Sequence, residues 1–383
     1  MRDGWVETTL GPLINLSTGK LDVNAGVEGG QYPFFTCARE TYWIDVYAFS
    51  GPSVLVAGNG DLNVKYYNGY FNAYQRTYIL QPNKQDSIEA KFLFLFMSTY
   101  VDDLRMNTQG STIQYLKKAQ FTEAPINLPP LVEQRRIVDV VESVDNYIAA
   151  LQARVDAVRI TRNAVLHELL NAGGDDWVET TLGDIAELRN GDRGKNYPSA
   201  ASRVSNGVPF INAGHLTDWR VDFSQMDYIP LEVFNKLTGG KIQEFDVLFC
   251  LRGTVGKFAL VADSYIGAIA SSLIIVRCRE SVQPTFMMLF LASEGCKEQI
   301  ELNRNGAVQP NLSAKSLSGF ITPLPPLVEQ KRIVDVVSSM DDSIQASEQT
   351  IVEAKNLRSG LLSDLLSGEH EIPAVYDKLL GAA

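Results

Sequence analysis

The stretch Leu128-Pro129-Pro130-Leu131-Val132-Glu133-Gln134-Arg135-Arg136-Ile137-Val138-Asp139-Val140-Val141 returns at 324–337 with one change, Lys331 for Arg135. A second tract also repeats: Trp5-Val6-Glu7-Thr8-Thr9-Leu10-Gly11 is matched by Trp177-Val178-Glu179-Thr180-Thr181-Leu182-Gly183. The chain is therefore an internal duplication, and repeats of this kind decide architecture before any local signal does. The offset is 172 for the second tract and 196 for the first, so the second copy is 24 residues longer between them. The extra residues are expected largely in 189–222. The layout is variable block, near-constant connector, variable block, near-constant connector. The expected boundaries are 1–127, 128–174, 175–323 and 324–370, with a tail at 371–383.

Each connector opens with Pro-Pro, which disfavours helix before it and is tolerated in a first turn. A 3-4 hydrophobic repeat follows. Ile137, Val144, Leu151, Val158 and Val165 fill one seam, and Val141, Ile148, Val155, Arg162 and Leu169 the other. The second copy has Ile333, Met340, Ser347, Ala354 and Leu361 against Val337, Ile344, Ile351, Arg358 and Leu365. Five heptads with two such seams predict a coiled coil, and two copies in one chain can pair antiparallel. About 40 residues at ~1.5 Å each make a rod of roughly 60 Å. Arg162 and Arg358 interrupt the same seam position. Either they fix register as polar seam residues, or they snorkel at a frayed end. Asn171-Ala172-Gly173-Gly174 reads as a helix stop and flexible joint.

The chain has 383 residues and a net charge of −11. The deficit is uneven: residues 5–127 and 177–323 are near neutral, whereas 128–176 and 324–383 are acidic. A local basic face can therefore exist on each block. Tight, independent nucleic-acid binding is not expected, because phosphate neutralisation supplies much of such affinity. No apolar run is long enough to span a bilayer, and Met1-Arg2-Asp3-Gly4-Trp5 lacks a signal-peptide core. A cytoplasmic, non-membrane protein is the expectation. Cys37, Cys250, Cys278 and Cys296 and the three histidines form no metal or triad pattern.

Both blocks read as α+β. In the first, Val54-Leu55-Val56 leads into Gly58-Asn59-Gly60-Asp61, and Asn68-Gly69 predicts a hairpin joining 64–67 to 70–80. In the second, 247–250 leads into Arg252-Gly253-Thr254-Val255-Gly256-Lys257 and another strand. Apolar helices are expected at 88–104 and 284–302. Polar and aromatic residues gather on the turns. The first block offers Asn59, Asn63, Lys65, Tyr67, Asn72, Tyr74, Gln75 and Arg76. The second offers Arg193, Lys195, Asn196, Tyr197, Arg252, Thr254, Lys257, Gln309 and Asn311. Asn and Gln suit adenine edges, Arg suits guanine, and Lys and Tyr suit phosphates. The bland alternative is that most are ordinary solvated turn residues. Catalytic signals are poor: Gly58-Asn59-Gly60 does not continue into a phosphate or dinucleotide loop, and both Pro-Pro pairs follow Leu rather than Asn or Asp.

On these residues the chain resembles the specificity (S) subunit of type I restriction-modification systems. The resemblance rests on the duplicated L-P-P-L-x-E-Q-x-x-I-V at 128–138 and 324–334. Gly306-Ala307-Val308-Gln309-Pro310-Asn311-Leu312-Ser313 and Gly253-Thr254-Val255-Gly256-Lys257 add to it. Gly110–Tyr115 and Asn59–Asp61 depart from the family pattern. The resemblance implies an α+β chain of two target-recognition domains separated by two antiparallel coiled-coil helices, a pseudo-two-fold internal repeat. It implies a chain without chemistry or cofactor of its own. Each domain would read half of a bipartite site in double-stranded DNA. The helices would set the spacer and dock two methyltransferase (M) subunits, which carry S-adenosylmethionine and flip the target adenine for N6 methylation. A restriction (R) subunit can join. Two rivals stand beside this reading: a two-headed adaptor that does not bind DNA, and the recognition part of a fused methyltransferase-nuclease.

Overall fold

The computed structural model describes residues 4–83, 87–107, 115–306, 310–373 and 376. Each connector is one unbroken helix of 41 residues, α1 (Leu131–Asn171) and α2 (Leu327–Ser367). The chain divides into two units inside these helices rather than at their ends. Unit 1 comprises 1–152 and 349–383, and unit 2 comprises 153–348. Each unit thus holds one variable block, the first half of the helix that follows it and the second half of the other helix. Within unit 2 the pairing is antiparallel, since Arg162 meets Asp341 while Arg159 meets Glu348. In unit 1, Ile137 and Val141 of α1 share a buried cluster with Leu362 and Leu365 of α2.

The seam arginines are ion-paired, not frayed. Arg162 is 6% exposed, donates to both carboxylate oxygens of Asp341 at 2.9 Å, and lies 5.1 Å from the Trp219 ring centre. In unit 1, Arg358 makes the same two-pronged contact with Asp145. A guanidinium and a carboxylate match as parallel forks, which gives geometric specificity as well as energy.

Each opening tract pairs with the strand that leads into the connector of its own block. Val6–Thr9 runs antiparallel to Pro125–Leu128, and Val178–Thr181 antiparallel to Ile321–Leu324. The strand that opens each block therefore closes on the strand that leads into its long helix. Gln134 then staples the corner. Its side chain is fully buried, accepts from Glu89 N at 2.7 Å, and donates to the carbonyls of Ser87 and Pro129. Gln330 repeats this with Gln283 N and the carbonyls of Ser281 and Pro325. Buried main-chain groups left unpaired are costly, so the glutamine and the prolines around it form one mutually dependent joint.

Unit 1 contains a four-stranded sheet ordered Ile14–Thr18, Thr77–Pro82, Pro52–Ala57, Val64–Asn68. A three-stranded sheet joins Tyr42–Ile44, Tyr32–Phe35 and Asn72–Ala73. The helix Ala90–Asn107 buries Phe92, Leu93, Leu95 and Met97. Unit 2 repeats the frame with an enlarged six-stranded sheet, in which Ala186–Asn190, Leu273–Cys278, Val247–Cys250 and Phe258–Leu260 are neighbours. Its helical segment breaks at Ser293, whose hydroxyl accepts from Cys296 N and starts a second helix.

Two expectations need correction. The Asn68-Gly69 turn does not close a hairpin, because Val64–Asn68 pairs with Pro52–Ala57 instead. Phe71 is fully buried against Phe35, Phe49 and Tyr67, and this core anchor carries the chain across to the other sheet. The turn closing the observed hairpin is 58–63. The extra length of the second block also lies later than 189–222 would place it. The offset is 172 at Ile14/Ala186, 176 at Phe35/Ile211, 193 at Val54/Val247 and 196 at Ala73/Ile269. Most of the insertion thus falls between Ile211 and Val247, where unit 2 adds the hairpin Leu216–Thr217/Arg220–Val221 and the helix Leu231–Lys236.

Candidate nucleic-acid interface

In both units the loop after the central strand bridges to the segment that precedes the long helix. In unit 1, Asn59 forms a bridge with Tyr115, and Leu116 N donates to Gly58 O at 2.9 Å. In unit 2, Arg252 bridges Asn311, and Leu312 N donates to Leu251 O at 2.9 Å. Tyr115 and Asn311 are 196 apart, so these are equivalent positions of one frame. Asn59 and Tyr115, which come from tracts that depart from the family pattern in sequence, make the equivalent bridge.

The exposed members of the unit 1 cluster are Gln75 and Arg76, with Asn59 half-buried beside them. The Arg76 guanidinium lies 5.4 Å from the centre of the Tyr115 ring, which is itself 55% exposed. The other candidates of this block are largely committed internally. Asn63 donates to Cys37 O and Asp61 O, and Asn72 donates to Val46 O while accepting from Ala73 N. Lys65 donates to Ala38 O, and burial holds its ammonium below the ordinary lysine range. Tyr67 packs edge-on against Phe71, and half-buried Tyr74 bridges Leu21.

In unit 2 the exposed residues are Arg193, Lys195, Arg252, Thr254 and Asn311. Gly253 N donates to Pro310 O, which ties the loop 252–256 to the segment before α2. Arg193 donates to Ser271 O at 3.3 Å. Burial, and then the neighbouring positive charge of Arg252, hold its guanidinium below the ordinary value. The two arginines thus sit within electrostatic range of each other. Lys257 donates to Ala213 O at 3.1 Å, Tyr197 packs on Phe210, and Asn196 is half-buried. Gln309 lies outside the described residues.

The structure therefore gathers Asn59, Gln75 and Arg76 in unit 1, and Arg193, Arg252, Thr254 and Asn311 in unit 2. It turns Asn63, Asn72, Lys65, Tyr67 and Lys257 inward. Tyr115 was missed by sequence reasoning, and its offset of 196 from Asn311 was the signal that would have found it. Both clusters offer amide and guanidinium donors, the groups that read base edges. Among the described residues no His, Cys, Asp and Glu cluster suited to a metal is found. No described helix is long and apolar enough to cross a membrane.

Comparisons with known proteins bear on the family and the fold. A family model for the type I restriction modification DNA specificity domain matches residues 2–158 and again 174–356. The chain is 26% identical to the type I restriction enzyme EcoDI specificity subunit of Escherichia coli, over 98% of this chain and 94% of that one. It is 21% identical to the MjaVIII specificity subunit of Methanocaldococcus jannaschii, over 76% and 73%. Its fold is similar to that of a type I system S subunit from M. genitalium, with a TM-score of 0.55 and 16% identity over 96% of this chain and 97% of that one. The HsdS subunit from Thermoanaerobacter tengcongensis gives 0.52 and 20% over 97% and 98%. Two family domains, each built on the same frame and each ending in a long helix, place the chain in the type I restriction-modification specificity family, as a DNA-recognition subunit.

Proposed function

We propose that each unit reads one half of a bipartite double-stranded DNA site, with Asn59, Gln75, Arg76 and Tyr115 facing one half and Arg193, Arg252, Thr254 and Asn311 the other. The observation that carries this reading is the shared bridge. One backbone frame holds Asn59 against Tyr115 in unit 1 and Arg252 against Asn311 in unit 2. Fixed backbone with different donors is what two different half-sites require.

The helices would set the unread spacer and dock two methyltransferase subunits. Those subunits would carry S-adenosylmethionine and methylate adenine N6, and a restriction subunit could join them. Near-neutral blocks on acidic helices suit a chain that shares its grip on phosphates with basic partners. This chain would supply base readout and position, and the partners would supply chemistry.

Gel shifts with and without a co-expressed methyltransferase subunit test the proposal. Specific retention of a bipartite site should need the partner. Methyl transfer by the purified chain alone would favour the fused-enzyme reading. Partner binding with no sequence preference for DNA would favour the adaptor.

A further inference from the structure

We infer that Arg76, held over the Tyr115 ring, reads a guanine in the half-site of unit 1. This rests on the bipartite reading above and adds a base identity to it. Three observations converge. Arg76 is exposed on the turn between Asn72–Ala73 and Thr77–Pro82, and among the described residues no carboxylate pairs with it. Its guanidinium lies 5.4 Å from the Tyr115 ring centre. The Tyr115 backbone is fixed by the Asn59 bridge and by Leu116 N on Gly58 O, so the ring projects from a defined main-chain position beside Arg76.

The chemistry follows from shape. A guanidinium is planar with a rigid fork of donors, and stacking on an aromatic face removes the rotational freedom that would otherwise be lost on binding. A fork held in one plane suits a bidentate acceptor. In the major groove guanine offers that pair, through O6 and N7. Phosphate also accepts an arginine fork, but the surroundings favour a base. Gln75, adjacent and exposed, brings an amide of the type that reads adenine, so the turn presents two base-edge readers in sequence.

Unit 2 solves the same position differently. Ser271 and Ser272 occupy the places of Gln75 and Arg76, and the guanidinium groups come from Arg193 and Arg252. No aromatic residue stands at Asn311, the equivalent of Tyr115. Among the described residues, the ring-backed reader therefore belongs to unit 1.

The test uses the chain co-expressed with its methyltransferase subunit, with methylated sites mapped genome-wide for wild type, Arg76→Ala, Arg76→Lys, Tyr115→Ala and Tyr115→Phe. The wild-type map should contain a G·C pair in one half-site. At that pair, Arg76→Ala and Arg76→Lys should lose discrimination by about tenfold to a hundredfold. Tyr115→Ala should follow them, and Tyr115→Phe should keep wild-type selectivity because the stacking face is retained. The second half-site should be unchanged in all four. Uniform weakening across all sequences, with a shallower salt dependence, would identify Arg76 as a phosphate contact and overturn the inference. So would a wild-type map with no G·C pair in the half-site that Arg76→Ala affects. A wild-type complex that methylates no bipartite site would instead remove the bipartite reading on which the inference rests.

Discussion

Arg162 and Asp341 join α1 to α2 by two parallel hydrogen bonds of 2.9 Å, and Trp219 closes over the guanidinium from the inserted hairpin of unit 2. The corresponding pair in unit 1, Arg358 and Asp145, has no such cover among the described residues, and the Arg358 side chain is 25% exposed against 7% for Arg162. The same repeated contact therefore differs in desolvation between the two units.

That difference predicts unequal costs. Asp341→Ala leaves a buried guanidinium without its carboxylate and should destabilise unit 2 by about 2–3 kcal/mol, the buried-pair range reduced for the partly exposed aspartate. Asp145→Ala should cost unit 1 about 1 kcal/mol or less. Urea unfolding followed by probes in each unit measures both. Equal losses would mean that the Trp219 cover has no energetic consequence.

Gln330→Ala should be among the most damaging single changes. It strands Gln283 N and the carbonyls of Ser281 and Pro325 at a partly buried corner. Each orphaned group costs roughly 1–3 kcal/mol, with relaxation and water recovering part, so a loss of about 2–4 kcal/mol is expected. Gln134→Ala should behave alike in unit 1. Hydrogen exchange at residues 281–283 gives a second readout, and unchanged protection there would contradict the stapling role.

Much of the architecture was legible because it repeats. Five heptads gave the helices, and the paired tracts marked where each block closes. What was not legible was decided by tertiary competition. Asn68-Gly69 is a strong local hairpin signal, yet burial of Phe71 in an aromatic cluster outweighs it. Asn63, Asn72 and Lys257 have the composition of DNA contacts, but their donors satisfy main-chain carbonyls. Sequence shows which groups a residue owns and not whether they are already used. The seam arginines were ambiguous for the same reason, since their partners lie 179 and 213 residues away.

Alkaline pH should weaken the fold from a definite point. Burial pushes the Cys278 and Cys296 thiols up to about 12 from the ordinary 9.0. Above pH 9 the unfolded chain releases protons that the folded chain retains. Stability from these groups is then full below about 9 and falls as pH rises toward 12. Replacing both cysteines with alanine should flatten this alkaline limb. Alkylation of the native protein at pH 9 should label half-buried Cys37 and spare fully buried Cys296. Rapid labelling of Cys296 would show that its burial is not maintained.

The proposed spacer-setting role of the helices is tested by insertions within them. Leu166 and Leu170 belong to the buried core of unit 2, so the joint after Asn171 lies inside that unit. The units are connected at 152/153 and 348/349. Seven residues added at both points keep the seams in phase and lengthen each helix by ~10 Å, about three base pairs. The mapped half-sites should stay the same while the spacer grows. Insertion in α1 alone should break the pairing and abolish activity. An unchanged spacer with full activity after both insertions would remove the helices as its determinant.

The most direct measurement of the central claim is a genome-wide methylation map for wild type and Arg252→Ala, each co-expressed with the methyltransferase subunit. Wild type should give one bipartite motif. The variant should relax one half of it, at a cost of about 1–3 kcal/mol at the affected position, and leave the other half and the spacer as they were. Equal relaxation of both halves would contradict the assignment of one half-site to each unit.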